Sequence, residues 1–138
     1  RGITAKNAFN ILTRKEIDKL TELVRGIGAK GLAWARIAED GTVASSFAKF
    51  MTEDEMAAIL KKAGAEKGDV VLFVADKNKV VLPVLGALRL IVAKRLDIIP
   101  KDKFNLLWIV EMPFFEYNEE TYIAVCVHQK AHIHKKFF

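Results

Sequence analysis

The sequence predicts an α+β fold, a two-layer sandwich in which a mixed or antiparallel sheet carries its helices on one face. Three observations carry this prediction. The segments Thr13-Arg14-Lys15-Glu16 and Thr52-Glu53-Asp54-Glu55 both have the form of a capping box at a helix start. Between those helices, residues 31–37 alternate and then meet Glu39-Asp40-Gly41, a hairpin turn signal. Residues 69–75 form a continuous apolar run rich in β-branched side chains, as a central strand would. Strands interleaved with helices, some joined by a tight hairpin, suit two packed layers.

The elements follow in order. In the first helix the Thr13 hydroxyl is expected to accept from the backbone of Glu16, whose carboxylate reaches back to cap the turn. Ile17, Leu20, Val24 and Ile27 then recur at helical spacing, with charged residues between them. Gly26 or Gly28 should stop this helix, because either can take the left-handed conformation. The second helix shows Met56, Ile59, Leu60 and Ala63 on one side and stops at Gly64. After the central strand, Asp76 stands where an N-cap is expected. The third helix should run to about Leu96 with Val84, Leu88, Ile91 and Val92 as its buried stripe. Pro83 has no amide hydrogen to donate, so the helix is placed from Val81 after an irregular lead-in from Lys77. Pro100-Lys101-Asp102-Lys103 is a polar connection. Beyond it, residues 106–110 are predicted as a strand, 113–118 as a turn and 121–127 as another strand.

Composition sets limits on function. A chain of 138 residues can bury one sound core and has little room for a second. The lone Cys126 rules out an internal disulfide framework and fits a reducing compartment. The longest apolar run, residues 80–93, is interrupted by Pro83 and Arg89 and is too short to cross a bilayer, so no membrane partner is expected. The net charge of +5 permits contact with a polyanion without demanding it. Part of that charge is the basic tail with Lys130, Lys135 and Lys136. The opening Arg1-Gly2-Ile3-Thr4 is neither a signal peptide nor a start with Met, so either a fragment or only the ordered part of a sequence is expected.

Several motifs recur in a recognisable order. Thr13-Arg14-Lys15-Glu16-Ile17-Asp18 opens a helix, and Gly31-Leu32-Ala33-Trp34 a strand. Phe47-Ala48-Lys49-Phe50, Phe73-Val74-Ala75-Asp76 and Leu85-Gly86-Ala87-Leu88-Arg89 follow. Trp108-Ile109-Val110-Glu111-Met112-Pro113 and Phe114-Phe115-Glu116-Tyr117 close the series. In this order they resemble the insertion (GAD) domain of bacterial aspartyl-tRNA synthetases, followed by its return into the class II catalytic fold. The resemblance implies a GAD (DCoH-like) insertion domain over residues 1–103, strands re-entering the catalytic sheet over 104–124, and a divergent basic tail over 125–138. It implies a parent enzyme that charges tRNA with aspartate, using ATP and Mg, in the cytoplasm and as a homodimer. The motifs with which that family holds ATP, Phe-Arg-x-Glu and Gly-x-Gly-x-x-Arg, do not occur in these residues. Without positioned cations nothing would stabilise the transferring adenylate. The chain itself is therefore expected to be a non-catalytic module, with no cofactor of its own. Where the family reads Met-His-His-Pro-Phe-Thr, this chain gives Val125-Cys126-Val127-His128-Gln129-Lys130. Two other readings stand beside this one. One is the equivalent domain of a tRNA-dependent amidotransferase subunit, against which the return strand argues. The other is a free-standing, truncated relic that binds RNA or protein.

Few side chains offer chemistry. Cys126, His128, His132 and His134 lack the firm spacing of a zinc site and read better as an incidental tail, so no metal is expected. Ser45 and Ser46 have no histidine nearby in sequence, and Glu53, Asp54 and Glu55 complement a helix start. No catalytic residue is proposed from them. Gly86 inside a helix costs roughly 1 kcal/mol against alanine, which suggests close packing of helix on sheet. Arg89 lies in line with Leu85, Val92 and Leu96 at the margin of the apolar stripe. Its guanidinium could meet RNA backbone or a neighbouring domain, or pair internally with Asp76 or Glu111. Lys94 and Arg95 extend the basic end of the same helix, where cations are favourable anyway. Arg89, Lys94 and Arg95 are thus the candidate contacts to tRNA or to another domain.

Overall fold

The computed structural model describes residues 1–104, 106, 108 and 110, and the backbone of 115–118 and 123–126. It divides into two compact units, Arg1–Ile99 and Pro100–Phe138. The first contains β1 (Gly2–Ala5), α1 (Arg14–Ile27), β2 (Ala33–Ile37), β3 (Val43–Ser45), α2 (Glu53–Lys62), β4 (Val70–Phe73) and α3 (Asn78–Arg95). Its sheet has the order β1-β4-β2-β3, and every neighbouring pair is antiparallel. The second unit contains β5 (Phe115–Asn118) paired antiparallel with β6 (Ile123–Cys126).

Alternation along the strands sorts the core. Trp34, Val70, Leu72 and Val74 pack with Ile17, Leu20 and Val24 of α1 and with Val81, Val84, Leu88 and Val92 of α3. The opposite-facing Ala35, Ile37 and Val71 pack with Leu60 and Met56 of α2 and with Phe47. The α+β class and the antiparallel sheet are as the sequence implies. One detail differs: α2 covers the other face, so helices lie on both sides of the sheet. The central strand β4 therefore needs side chains of both parities to be apolar, which explains its unbroken Val-Val-Leu run.

The helix starts depart from expectation in a consistent way. Thr52 forms the predicted box: its hydroxyl accepts from the Glu55 amide at 3.3 Å, and Glu55 accepts from the Thr52 amide at 2.9 Å. Thr13 occupies the N-cap of α1 but makes no side-chain cap bond. Glu16, which would have completed that box, instead lies 2.6 Å from Lys19 and 2.7 Å from Arg95. Two cations compete for its carboxylate, and the backbone loses. α3 starts at Asn78 rather than Val81, with Pro83 inside it. The Val80 and Val81 amides close the first turn on the Lys77 carbonyl at 2.9 and 3.0 Å, and buried Val81 and Val84 flank the proline. Asp76 accepts only from the adjacent Lys77 amide and does not cap the helix.

Smaller differences follow from where chains turn. Gly28, at φ 112°, ends α1, and Ile27 just before it is 41% exposed rather than buried. Ile91 is only partly buried, and Val81 joins the stripe instead. Gly86 is exposed, and a Cβ built on it would meet nothing within 4 Å. It therefore does not serve close packing of α3 on the sheet. Residues 115–118, expected in a turn, form β5, and β6 falls inside the strand expected over 121–127. Of residues 106–110, the described Leu106, Trp108 and Val110 have no regular structure, and the others lie outside the described residues. His128, His132 and His134 lie outside them as well.

The two caps should separate in chemical denaturation. Thr52→Ala is expected to lower stability by about 1 kcal/mol, while Thr13→Ala stays within about 0.5 kcal/mol of the parent. Equal losses would contradict the geometry. Gly86→Ala should raise stability by about 0.5–1 kcal/mol, because helix propensity improves and nothing is displaced.

Candidate functional site

The most concentrated polar cluster forms around Asp69, the residue that leads into β4. Asp69 is 1% exposed, yet both of its carboxylate oxygens are engaged. Oδ1 accepts from the Asn7 amide at 2.9 Å, and Oδ2 from the Glu66 amide at 2.8 Å. The Lys6 ammonium lies 2.9 Å from Oδ2 and also donates to the Gly64 carbonyl at 2.8 Å and to Glu66 at 3.1 Å. Asn7 and Gly68 turn with positive φ, at 52° and 84°, to bring these amides inward. Burial pushes the Asp69 carboxyl up, but the Glu66 amide, Lys6 and the Asn7 amide together outweigh it and hold its pKa below the ordinary value. The bonds to Asp69 and then to Glu66 hold Lys6 above its own.

A second feature flanks it. Arg36 of β2 has the parity of Trp34, on the face that α1 and α3 cover, its guanidinium 4.2 Å over the Phe9 ring and donating to the Phe9 carbonyl at 2.7 Å. Its buried Nε has no hydrogen-bond partner. Arg14 stands 4.9 Å over the ring of buried Trp34 and pairs with Asp18 at 3.3 Å. These arginines fasten the β1–α1 connection and the first turn of α1 onto the sheet.

The cluster can hold structure but has little left for chemistry. A carboxylate with three donors from two segments, itself buried, is neither a free base nor an open ligand. The remaining candidates are similarly occupied. The Ser46 hydroxyl accepts from the Trp34 amide at 3.0 Å, and Ser45 from the Phe47 amide at 3.4 Å. The Glu55 carboxyl is held below its ordinary value by the Thr52 backbone and side chain. Among the described residues no three His, Cys, Asp or Glu side chains converge as a metal site. No described helix is long and apolar enough to cross a membrane.

The three predicted contact residues do not form a patch. At about 100° per residue, Arg89, Lys94 and Arg95 leave α3 in three directions. Arg95 turns toward α1, where Nη1 lies 2.7 Å from Glu16 but does not point a hydrogen at it. Arg89 is exposed and makes no ion pair with Asp76; Glu111, its other proposed partner, lies outside the described residues. Arg89 lines a groove of about 420 Å³ between β1 and α3, with Ile3, Lys6, Ile11, Val92 and Ile98. Lys94 is exposed. Sequence reasoning missed Asp69, Lys6 and Arg36. The available signal was an acid directly after a glycine at the mouth of an apolar strand, a place where a charge needs partners.

A family model described as the GAD domain matches residues 1–85. An aspartate–tRNA ligase of Ruminiclostridium cellulolyticum is 54% identical over 120 residues, which is 87% of this chain and 20% of that protein. An aspartate–tRNA(Asp/Asn) ligase of Lachnoclostridium phytofermentans is 51% identical over 120 residues, again 87% and 20%. An aspartate–tRNA ligase of Agathobacter rectalis is 48% identical over 128 residues, 93% of this chain and 21% of the relative. The chain spans about one fifth of the length of these relatives.

The Asp69 latch generates a pH-dependent expectation. Its folded carboxyl ionises below the ordinary value of 3.8, so its contribution is complete above that pH and drains away as pH falls through the folded pKa. Asp69→Asn should cost about 2–4 kcal/mol at neutral pH, since a buried charged acceptor and its donors lose their match. The gap between parent and variant, measured by denaturant titration at a series of pH values, should narrow below about pH 4. A gap that is constant with pH would show that Asp69 is not ionised in the fold.

Proposed function

The chain belongs to the GAD domain family, and from that membership we propose that it is the insertion module of an aspartate–tRNA ligase. The observation that carries this reading is the extent of the match. Relatives bearing that name align with 87% of the chain at 54% identity. We assign residues 1–103 to the insertion domain, 104–124 to strands returning into a class II catalytic sheet, and 125–138 to a divergent tail.

On this reading the parent enzyme joins aspartate to tRNA in the cytoplasm, as a homodimer, with ATP and Mg held by its catalytic fold. The module contributes no group to that chemistry. Its acids are spent on neighbours, as with Asp69, Glu16 and Glu55. Its role is to present a surface to tRNA or to a neighbouring domain through Arg89, Lys94 and Arg95. Of these, Arg89 and Lys94 are the outward pair, while Arg95 already faces Glu16.

Two measurements test this. The purified chain should give no aspartate-dependent pyrophosphate exchange above a protein-free control; exchange would mean that an adenylate site has been overlooked. When the 120 matched residues replace the corresponding segment of the Ruminiclostridium cellulolyticum ligase, the hybrid should charge tRNA with aspartate. A folded hybrid that cannot do so would remove the assignment. By itself the chain should bind any tRNA weakly and without sequence preference, with affinity falling steeply as salt rises, as scattered phosphate contacts do.

A further inference from the structure

We propose that the outward face of α3 is a docking seam for another part of the same parent polypeptide, an apolar surface that carries a carboxylate for Arg89. This rests on the reading of the chain as one module of a longer ligase.

α3 is apolar nearly all the way round, a pattern that belongs to a helix covered on both sides. Its inner stripe meets the sheet and α1. Its outer face does not: Leu82 is 53% exposed and Leu90 38%. At helical spacing Leu82, Gly86, Leu90 and Ala93 fall within about 80° of arc, with exposed Pro83 beside them and Lys79 on the same arc about one turn before Leu82. Gly86 lies at the centre of this strip. A glycine in a helix interior weakens the helix, and the space around this one is open. Nothing inside the module uses the missing side chain. An approaching backbone from outside would, because a helix without a Cβ at the crossing point admits closer contact.

Charge selects the occupant. Arg89 borders the strip, Lys79 lies at its N-terminal end, and α3 contains no acidic residue. A second copy pairing through this face would bring cation toward cation over the leucines. A phosphate backbone would satisfy Arg89 but leave Leu82, Pro83 and Leu90 against a hydrated polyanion. An apolar protein surface with an acid at its rim satisfies both. About four fifths of the relatives' length lies beyond the matched segment, which is chain enough to provide the occupant.

The test compares the 138-residue chain with the full-length hybrid ligase described above, by hydroxyl-radical footprinting of Leu82 and Leu90. Both residues should label in the chain alone. In the hybrid their labelling should fall roughly five-fold, as expected when half-exposed side chains enter a packed interface. Gly86→Leu should leave the isolated chain folded by circular dichroism, since its side chain enters open space, yet restore labelling in the hybrid. Arg89→Glu should also restore it, by placing two acids together. An active hybrid in which Leu82 and Leu90 label as in the isolated chain would overturn the docking seam and leave the parent assignment standing. Protection that needs added tRNA would make the occupant RNA, and protection already present in the isolated chain would make it this chain or a second copy; either overturns the proposal. A folded but inactive hybrid would remove the parent assignment and the seam with it.

Discussion

The fold of the first unit depends on how one buried carboxylate is satisfied. Asp69 enters the core at the foot of the central strand, where an unpaired charge would be several kcal/mol unfavourable. Its partners come from two places distant in sequence: Lys6 and Asn7 after β1, and Glu66 in the turn after α2. Satisfying it therefore fixes the end of β1 beside the start of β4, the antiparallel pair Ala5 with Val70. The same turn is bonded onward, from the Gly68 amide to the Ile37 carbonyl and from the Ile37 amide to the Asp69 carbonyl, which sets β2 on the other side. One residue thereby specifies the register of three strands. Burial would expel such a charge; three donors keep it.

The second organising contact lies between α1 and α3. Arg95, in the last turn of α3, brings its charge to Glu16, in the first turn of α1, while Lys19 approaches the same carboxylate. All three groups are partly exposed, so the net stabilisation is modest. Its effect is on geometry more than on energy. It takes Glu16 away from the capping role that its spacing from Thr13 suggests, and it turns one of the three basic residues of α3 inward. An electrostatic choice within the helix pair thus takes Arg95 away from the outer surface.

What was legible in the sequence was what repeats. The stripe Ile17, Leu20, Val24, the alternation of β2 and the unbroken apolar run of β4 each report a periodicity set by backbone geometry, and each element formed where they lie. What was not legible depended on partners far along the chain. The boxes at Thr13 and Thr52 have the same local form, yet only Thr52 caps, and the Glu16 carboxylate that would complete the first box is drawn to Lys19 and Arg95. Pro83 pointed to a late helix start, but buried valines on either side hold the helix through it. Asp69 looked like a strand boundary because its partner Lys6 is more than sixty residues earlier. For the same reason Arg89, Lys94 and Arg95, adjacent in sequence terms, could be read as one basic cluster although the helix disperses them.

This pattern has a functional consequence. In an active site, polar groups are held with donor or acceptor capacity unspent, ready for a substrate. In the Asp69 cluster that capacity is consumed internally, and the buried carboxylate serves register rather than reaction. The unmet demand lies instead in apolar surface: the leucines of α3 and the open glycine between them. An unsatisfied hydrogen bond in a folded protein asks for a small polar ligand, whereas unsatisfied apolar area asks for a large, shaped partner. A module whose buried carboxylate is fully engaged and whose α3 leucines are exposed suits the docking seam proposed for that face. On the reading proposed above, such an insertion would serve its parent through this surface and not through reacting atoms.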